Sequence, residues 1–382
     1  MLQDFLNKKP LFYDVIDYTR MPRAYESIKK ELKLPKIIHI IGTNGKGTTG
    51  RFLAHALSKA NFSVGHYTSP HILHFNERIW LNGTNSSDTL LEEAHQKLLL
   101  LLKQQMAEEL SYFEYTTLLA MVVFQECDYV VLEAGLGGEY DATAVFTNIL
   151  TLITPIDKDH EAFLGTTIEA IATTKLNAVQ TYGILGKQKS LKISSVAQTV
   201  AKNKNVIIKN FDKHLDTQAY DDMKMIAKEL HLSHYLQENL LLCLSALNYL
   251  HVRYEKEYFQ GAKLFGRLTQ FSPNIILDVG HNVLAAQALL QELQGKKFVL
   301  VYNTYKDKEY KKILTLLSPI IKRIEIIAIA ENRIVAPEKL VEVIDLLSLE
   351  YTTFEEIKEE ESYLIFGSFS VVETFLRRYE NG

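Results

Sequence analysis

Lys46 is the residue whose surroundings most clearly prepare it for chemistry. It stands in residues 36–50, KIIHIIGTNGKGTTG, where an apolar run breaks into a glycine-rich turn followed by hydroxyls. A polyphosphate is best held by backbone N–H groups at a helix N-terminus, and only glycine lets the main chain approach it closely. Gly42, Gly45 and Gly47 supply that freedom, Lys46 sets a point charge over the outer phosphates, and Thr48 or Thr49 offers a hydroxyl to a phosphate or its magnesium. A nucleoside triphosphate is the expected ligand. The loop is a variant of the general P-loop: no glycine stands five residues before Gly45, and Gly47 follows the lysine where Ser or Thr is usual. A lone glycine–lysine turn is commonly a surface loop. Here an apolar strand precedes it, and a helical pattern follows with Leu53, Ala56, Leu57 and Ala60 on one face.

Other segments carry reactive residue types at predicted strand ends. The run YVVLE ends in Glu133 and is followed by AGLGGEYDAT, and a carboxylate leaving an apolar strand beside a glycine turn suits a magnesium ligand or a salt-bridged strand end. The loop DKDHEAFLG places Asp159 and His160 after the next strand, while YTSPHILHFNERI crowds Ser69, His71, Asn76 and Arg78 together. Both Glu133 and His160 are expected to face solvent at a site. Lys175 lies four residues after Ile171 and seven after Ile168, hence on the apolar stripe of its helix. A lysine there is costly unless its charge is matched or removed, so it is a snorkelling side chain or a functional, covalently modified one.

The elements that must position these residues alternate. Strands are predicted at 37–41, 63–67, 129–133 and 149–154, with helices at 89–106 and 115–125, and the apolar strands indicate a mostly parallel sheet covered on both faces. Residues 181–212 are polar with weak periodicity and take no assignment. A helix at 235–250 precedes YEKEYFQGAKLFGR, which sets the expected boundary between residues 1–258 and 259–382. Beyond it the alternation restarts, with strands at 275–278, 298–302, 324–329 and 363–366. The class is therefore α/β, with functional residues gathered where strands end and loops begin. Forty-two basic and 46 acidic residues in 382, a net charge of −4, give no electrostatic footprint for nucleic acid. Cys127 and Cys243 lie in apolar stretches and read as reduced core thiols. Neither a signal-type h-region nor a run of 18 apolar residues occurs, so a cytoplasmic enzyme with no membrane partner is expected.

In order along the chain, GTNGKGT, YTSPHILHFNERI, FEYTT, VLEAGLGGEYDAT, ITPIDKDHEAFLGTTIEAIATTK and ILDVGHN resemble the folylpolyglutamate synthase and dihydrofolate synthase family, relatives of the Mur peptidoglycan ligases. The resemblance implies a P-loop ATPase domain over residues 1–258 and a smaller Rossmann-like glutamate-ligase domain over 259–382, with the active site between them. It implies a ligase that uses ATP and Mg2+ to phosphorylate the carboxylate of dihydropteroate or a reduced folate. The amine of L-glutamate then attacks the acyl phosphate. It assigns Gly42, Thr43, Asn44, Gly45, Lys46, Gly47 and Thr48 to the triphosphate, Ser69, Glu133 and His160 to magnesium, and Lys175 to the lysine that is carbamylated. Asn239 would meet the adenine, Arg267, Asp278 and His281 the nucleotide and reacting groups, and Arg78 and Ser368 the substrates. A monomer is the expectation for the assembly.

Several positions depart from the family's pattern. Glu139 stands where arginine is usual, Ala144 where asparagine is, KLNAVQ replaces KAGIIK, and DVGHNV replaces DGAHNP. These leave the ATP chemistry intact and weaken any inference about the folate pocket, to which residues 13–28 (YDVIDYTRMPRAYESI) are a candidate contributor. Two other readings are a Mur-type ligase acting on a cell-wall precursor and a non-catalytic nucleotide-binding module. The GTNGKGT loop and the short stretch before the first strand stand against the first, and Glu133, His160 and Lys175, which mere binding does not need, against the second.

Overall fold

The computed structural model describes residues 1–10 and 17–380; residues 13–16 of the candidate pterin segment lie outside it. The chain divides into two compact units, one of Met1–Leu232 with Leu236–Lys263, the other of Ser233–Tyr235 with Leu264–Gly382.

In the first unit the strands are β1 (Lys36–Ile41), β2 (Val64–Tyr67), β3 (Ile79–Leu81), β4 (Thr84–Asn85), β5 (Tyr129–Glu133), β6 (Leu150–Ile153), β7 (Tyr182–Leu185) and β8 (Ile207–Asn210). They form one sheet in the order β4-β3-β2-β5-β1-β6-β7-β8. Pairing is parallel from β2 to β8, and β3 and β4 extend the edge antiparallel. β1 and β5 are buried at all but one of their positions, as strands covered on both faces must be. β5 inserts between β1 and β2, so the chain diverges to opposite sides at the carboxyl end of β1, where a doubly wound sheet opens a crevice.

The second unit holds β9 (Thr269–Ser272), β10 (Ile275–Asp278), β11 (Phe298–Tyr302), β12 (Ile321–Ile326), β13 (Glu350–Thr353) and β14 (Tyr363–Phe366), ordered β13-β12-β11-β14-β10-β9. Only β9 runs antiparallel.

Several expectations need correction. Residues 181–212, left unassigned above, form β7, a helix at Leu191–Lys204 and β8. β7 with the residue after it reads YGILG, a single apolar pair between two glycines, and β8 is a largely exposed edge strand that carries no apolar alternation. The helix expected at 89–106 is two, Asp88–Leu102 and Gln104–Glu109, broken where Lys103 takes a φ of 61°. The strand expected at 324–329 sits earlier, at Ile321–Ile326. Cys127 and Cys243 are buried and unbridged.

Candidate active site

Gly45 caps the helix Lys46–Lys59 with a φ of 88°, which only glycine adopts cheaply, and so turns the helix N-terminus outward directly after β1. Two close approaches leave no room for a side chain at Gly42 or Gly45. A Cβ on Gly42 would lie 2.0 Å from Thr154 Oγ1, and one on Gly45 would lie 2.4 Å from Asn239 Oδ1. The backbone is anchored from β6, because Thr43 N and Asn44 N donate to Pro155 O at 2.9 and 3.3 Å. Thr43 Oγ1 donates to Asp157 O at 3.0 Å. Lys46 folds back over the turn, its Nζ 3.3 Å from the carbonyls of Gly42 and Thr43. Thr48 Oγ1 and Thr49 Oγ1 are buried and have no hydrogen-bond partner among the described residues. An orphaned hydroxyl one turn into such a helix fits a phosphate-bound magnesium ion.

Lys175 is buried as its position on the helix Ile168–Leu176 requires, only 4% exposed, and it points at the same loop: Nζ donates to Gly42 O at 3.0 Å. Two lysines thus converge on one carbonyl. Burial, and then the charge of Lys46, pull the Lys175 ammonium down to about 7, so a large share of it is a neutral amine near pH 7. The glycine loop after β5 fixes this helix. A Cβ on Gly138 would stand 2.5 Å from Lys175 O, and Glu139 N donates to Thr174 O at 3.0 Å. Glu139 itself accepts from Asn177 Nδ2 at 2.7 Å, which gives the departure from arginine a local partner.

Glu133, expected to face solvent, is buried. The reason is the sheet order, which puts β5 between β1 and β2, so that its last residue meets the end of β2. Thr68 Oγ1 donates a short hydrogen bond to Glu133 Oε2, and Ser69 N donates to the same oxygen at 3.3 Å. Ser69 and Glu133 are therefore neighbours. His160, half-exposed with a φ of 53°, lies beside Asp159, Nε2 to Oδ1 at 4.0 Å. Among the described residues no group of three or more His, Cys, Asp or Glu side chains converges as a metal site. Oxygen ligands suit magnesium, and the buried carboxylate of Glu133 and the Thr48 hydroxyl are of that type. Arg78 is buried, its Nε donating to His71 Nδ1 at 2.7 Å and its guanidinium 5.2 Å from the Tyr112 ring.

Asp141 and His39 were not singled out by sequence. Asp141 accepts from Leu136 N (2.7 Å), Thr143 N (2.9 Å) and Thr143 Oγ1 (2.5 Å), pinning the glycine loop. Since that hydroxyl donates to Asp141, His39 must donate from Nε2 to Thr143 Oγ1 at 2.8 Å; burial holds the imidazole down to about 4 and so neutral. The available signal was the Asp-x-Thr spacing of a capped turn.

In the second unit Asp278 closes β10, buried, and accepts from Gly280 N at 2.7 Å and Leu268 N at 2.9 Å. Arg267 lies over the Phe369 ring at 5.2 Å. His281 Nδ1 is 3.3 Å from Val279 O. Ser368, buried, accepts from Val371 N at 3.1 Å and so caps the C-terminal helix.

No protein-family model matches the chain. Over 367 residues it is 30% identical to the dihydrofolate synthase/folylpolyglutamate synthase of Buchnera aphidicola subsp. Schizaphis graminum, covering 88% of this chain and 86% of that one. The crystal structure of Helicobacter pylori folylpolyglutamate synthetase is 38% identical with a TM-score of 0.81, covering 100% of this chain and 98% of that one. Escherichia coli FolC in complex with DHPP and ADP has the same fold, with a TM-score of 0.84 at 24% identity over 100% of this chain and 97% of that one.

Proposed function

The chain belongs to the dihydrofolate synthase/folylpolyglutamate synthase family, and we propose on that premise how its own residues carry the family's reaction. It is an ATP-dependent ligase that joins L-glutamate to dihydropteroate, to reduced folates, or to both. ATP with Mg2+ supplies the phosphoryl group that makes the acid's carboxylate an electrophile. Gly42 to Thr48 bind the triphosphate through backbone N–H groups, and Lys46 offsets the charge that gathers on the outer phosphates during transfer. Ser69, Glu133 and the Thr48 hydroxyl would hold magnesium, with His160 a further ligand.

Lys175 acts as its carbamate. The neutral amine attacks carbon dioxide, an N–C bond forms, and a proton leaves to solvent. The resulting anion offsets the charge of Lys46 beside Gly42 O. Asn239 meets the adenine. Arg267 and His281 serve the nucleotide and the reacting acyl group, Asp278 serves the nucleotide through the turn that carries Arg267, and Arg78 and Ser368 serve the acid and amino-acid substrates. Residues 1–258 are assigned to ATP binding and 259–382 to glutamate ligation. No helix among the described residues is long and apolar enough to cross a membrane, and we place the enzyme in the cytoplasm, acting as a monomer on small molecules.

The observation that carries this reading is the convergence of Lys46 and Lys175 on Gly42 O beside an orphaned Thr48 hydroxyl. The test is ADP release with dihydropteroate, tetrahydrofolate or a UDP-muramoyl acid, each with and without glutamate. Glutamate-dependent release on at least one pterin substrate is expected; release on the muramoyl acid alone, or on none, overturns it.

A further inference from the structure

Tyr235 has no place in the chemistry above, yet it holds a group that does. Residues Ser233–Tyr235 pack with the second compact unit, and the partly buried Tyr235 donates from Oη to Asp278 Oδ2 at 3.3 Å. The same oxygen accepts from Leu268 N, and Oδ1 accepts from Gly280 N. A carboxylate this buried depends on such donors, since each replaces water it has lost.

What the carboxylate holds is the turn that carries Arg267. Leu268 has a φ of 43°, a left-handed conformation that costs a residue with a Cβ about 1 kcal/mol or more and persists only where the surroundings impose it. They impose it from three directions. Asp278 binds Leu268 N at 2.9 Å. Thr269 Oγ1 accepts from Gly266 N at 3.0 Å and Arg267 N at 3.3 Å. Gly266 O accepts from Val279 N at 3.0 Å.

We propose that Tyr235 is a positioning residue: its hydroxyl orients the Asp278 carboxylate, and Asp278 through Leu268 N sets the turn that aims Arg267 at the nucleotide. The inference rests on the assignment of Arg267 to the nucleotide. The charges agree with it. Burial pushes the Asp278 carboxyl up, opposed by Arg267 and by the Gly280, Leu268 and Tyr235 donors. The Tyr235 phenol lies well above its ordinary range, through burial and then the Asp278 charge, so it remains a donor.

Tyr235→Phe in the full chain removes one oxygen and keeps the ring. ADP release with glutamate and whichever of dihydropteroate or tetrahydrofolate the wild type ligates gives kcat/KM for ATP in wild type, Tyr235→Phe, Arg267→Ala and the double variant. Loss of one such hydrogen bond should lower kcat/KM for ATP about fivefold, chiefly through KM, with the KM for glutamate unchanged. In the Arg267→Ala background the same substitution should have no further effect, because a residue acting only through Arg267 has nothing left to act on. Thr269→Val reaches the turn by another route and should be equally silent in that background. Should Tyr235→Phe melt early, this variant decides. Wild-type ATP kinetics in Tyr235→Phe, or a full additional loss from either substitution in the Arg267→Ala background, overturns the proposal. The nucleotide assignment is read separately: Arg267→Ala alone with wild-type ATP kinetics overturns that reading instead.

Discussion

Lys46 and Lys175 share the carbonyl of Gly42, and their roles separate by burial. Lys46, only partly buried, holds its Nζ over the turn, so Lys46→Ala should cut turnover on the order of 10²-fold or more, as removal of one preorganised electrostatic contact does. Near-wild-type turnover at saturating ATP would return the lysine to the surface. For Lys175 the consequence concerns stability as well. Its folded value is lowered to about 7 from the 10.5 of the free side chain. Between those two values the unfolded chain holds a proton that the folded chain has released, so stability rises with pH across that window and the penalty is complete below about 7. Lys175→Met should abolish ligation yet unfold in urea at pH 7 no earlier than wild type. In buffer free of carbon dioxide, the wild type should gain on the variant between pH 7 and pH 9. A parallel pH dependence in both proteins would contradict the buried-amine account. Glu133→Gln keeps the shape of a buried acceptor of the Thr68 hydroxyl and removes its charge. The magnesium concentration for half-maximal activity should therefore rise at least about tenfold, read by titrating magnesium against ADP release; an unchanged titration makes Glu133 structural.

At the scale of elements, the glycine loop after β5 and the helix Ile168–Leu176 are held against each other by a backbone approach that leaves no room for a methyl group. Gly138 has an ordinary φ, so an alanine there is opposed by sterics alone, chiefly by Lys175 O at 2.5 Å. Gly138→Ala should cost about 1–3 kcal/mol in urea unfolding, the range for overpacking, and should lower turnover further by moving the helix that carries Lys175. Unchanged unfolding and turnover together would show that the loop yields freely. The general form of this contact was not readable from the loop's sequence. AGLGGEYDAT announces a turn, and only the sheet order decides which helix the turn must pass.

Over the whole molecule the proposed residues are divided by chain position. The phosphate loop, Glu133 and Lys175 belong to the first compact unit, and Arg267, Asp278, His281 and Ser368 to the second. A chain ending at residue 263, where the first unit ends, should therefore incorporate no glutamate into dihydropteroate or tetrahydrofolate, whereas the full chain does; ligation by the shorter chain would remove the second unit from the chemistry. Short-range properties were legible without coordinates. The apolar runs of β1, β5, β10, β11 and β14, the glycine–lysine turn and the apolar stripe bearing Lys175 each depend on residues within a turn or two of one another, where backbone preference and periodicity act directly. The exposed β8, and β7, whose apolar pair stands between Gly183 and Gly186, left no such trace. The contacts that make those residues a site join segments far apart in sequence: Gly45 to Asn239, Gly42 to Lys175, Glu133 to Ser69, and Asp278 to Tyr235. Only the tertiary structure decides them, because they follow from which strand lies beside which, and that order is set by burying apolar faces across the whole sheet rather than by any local preference.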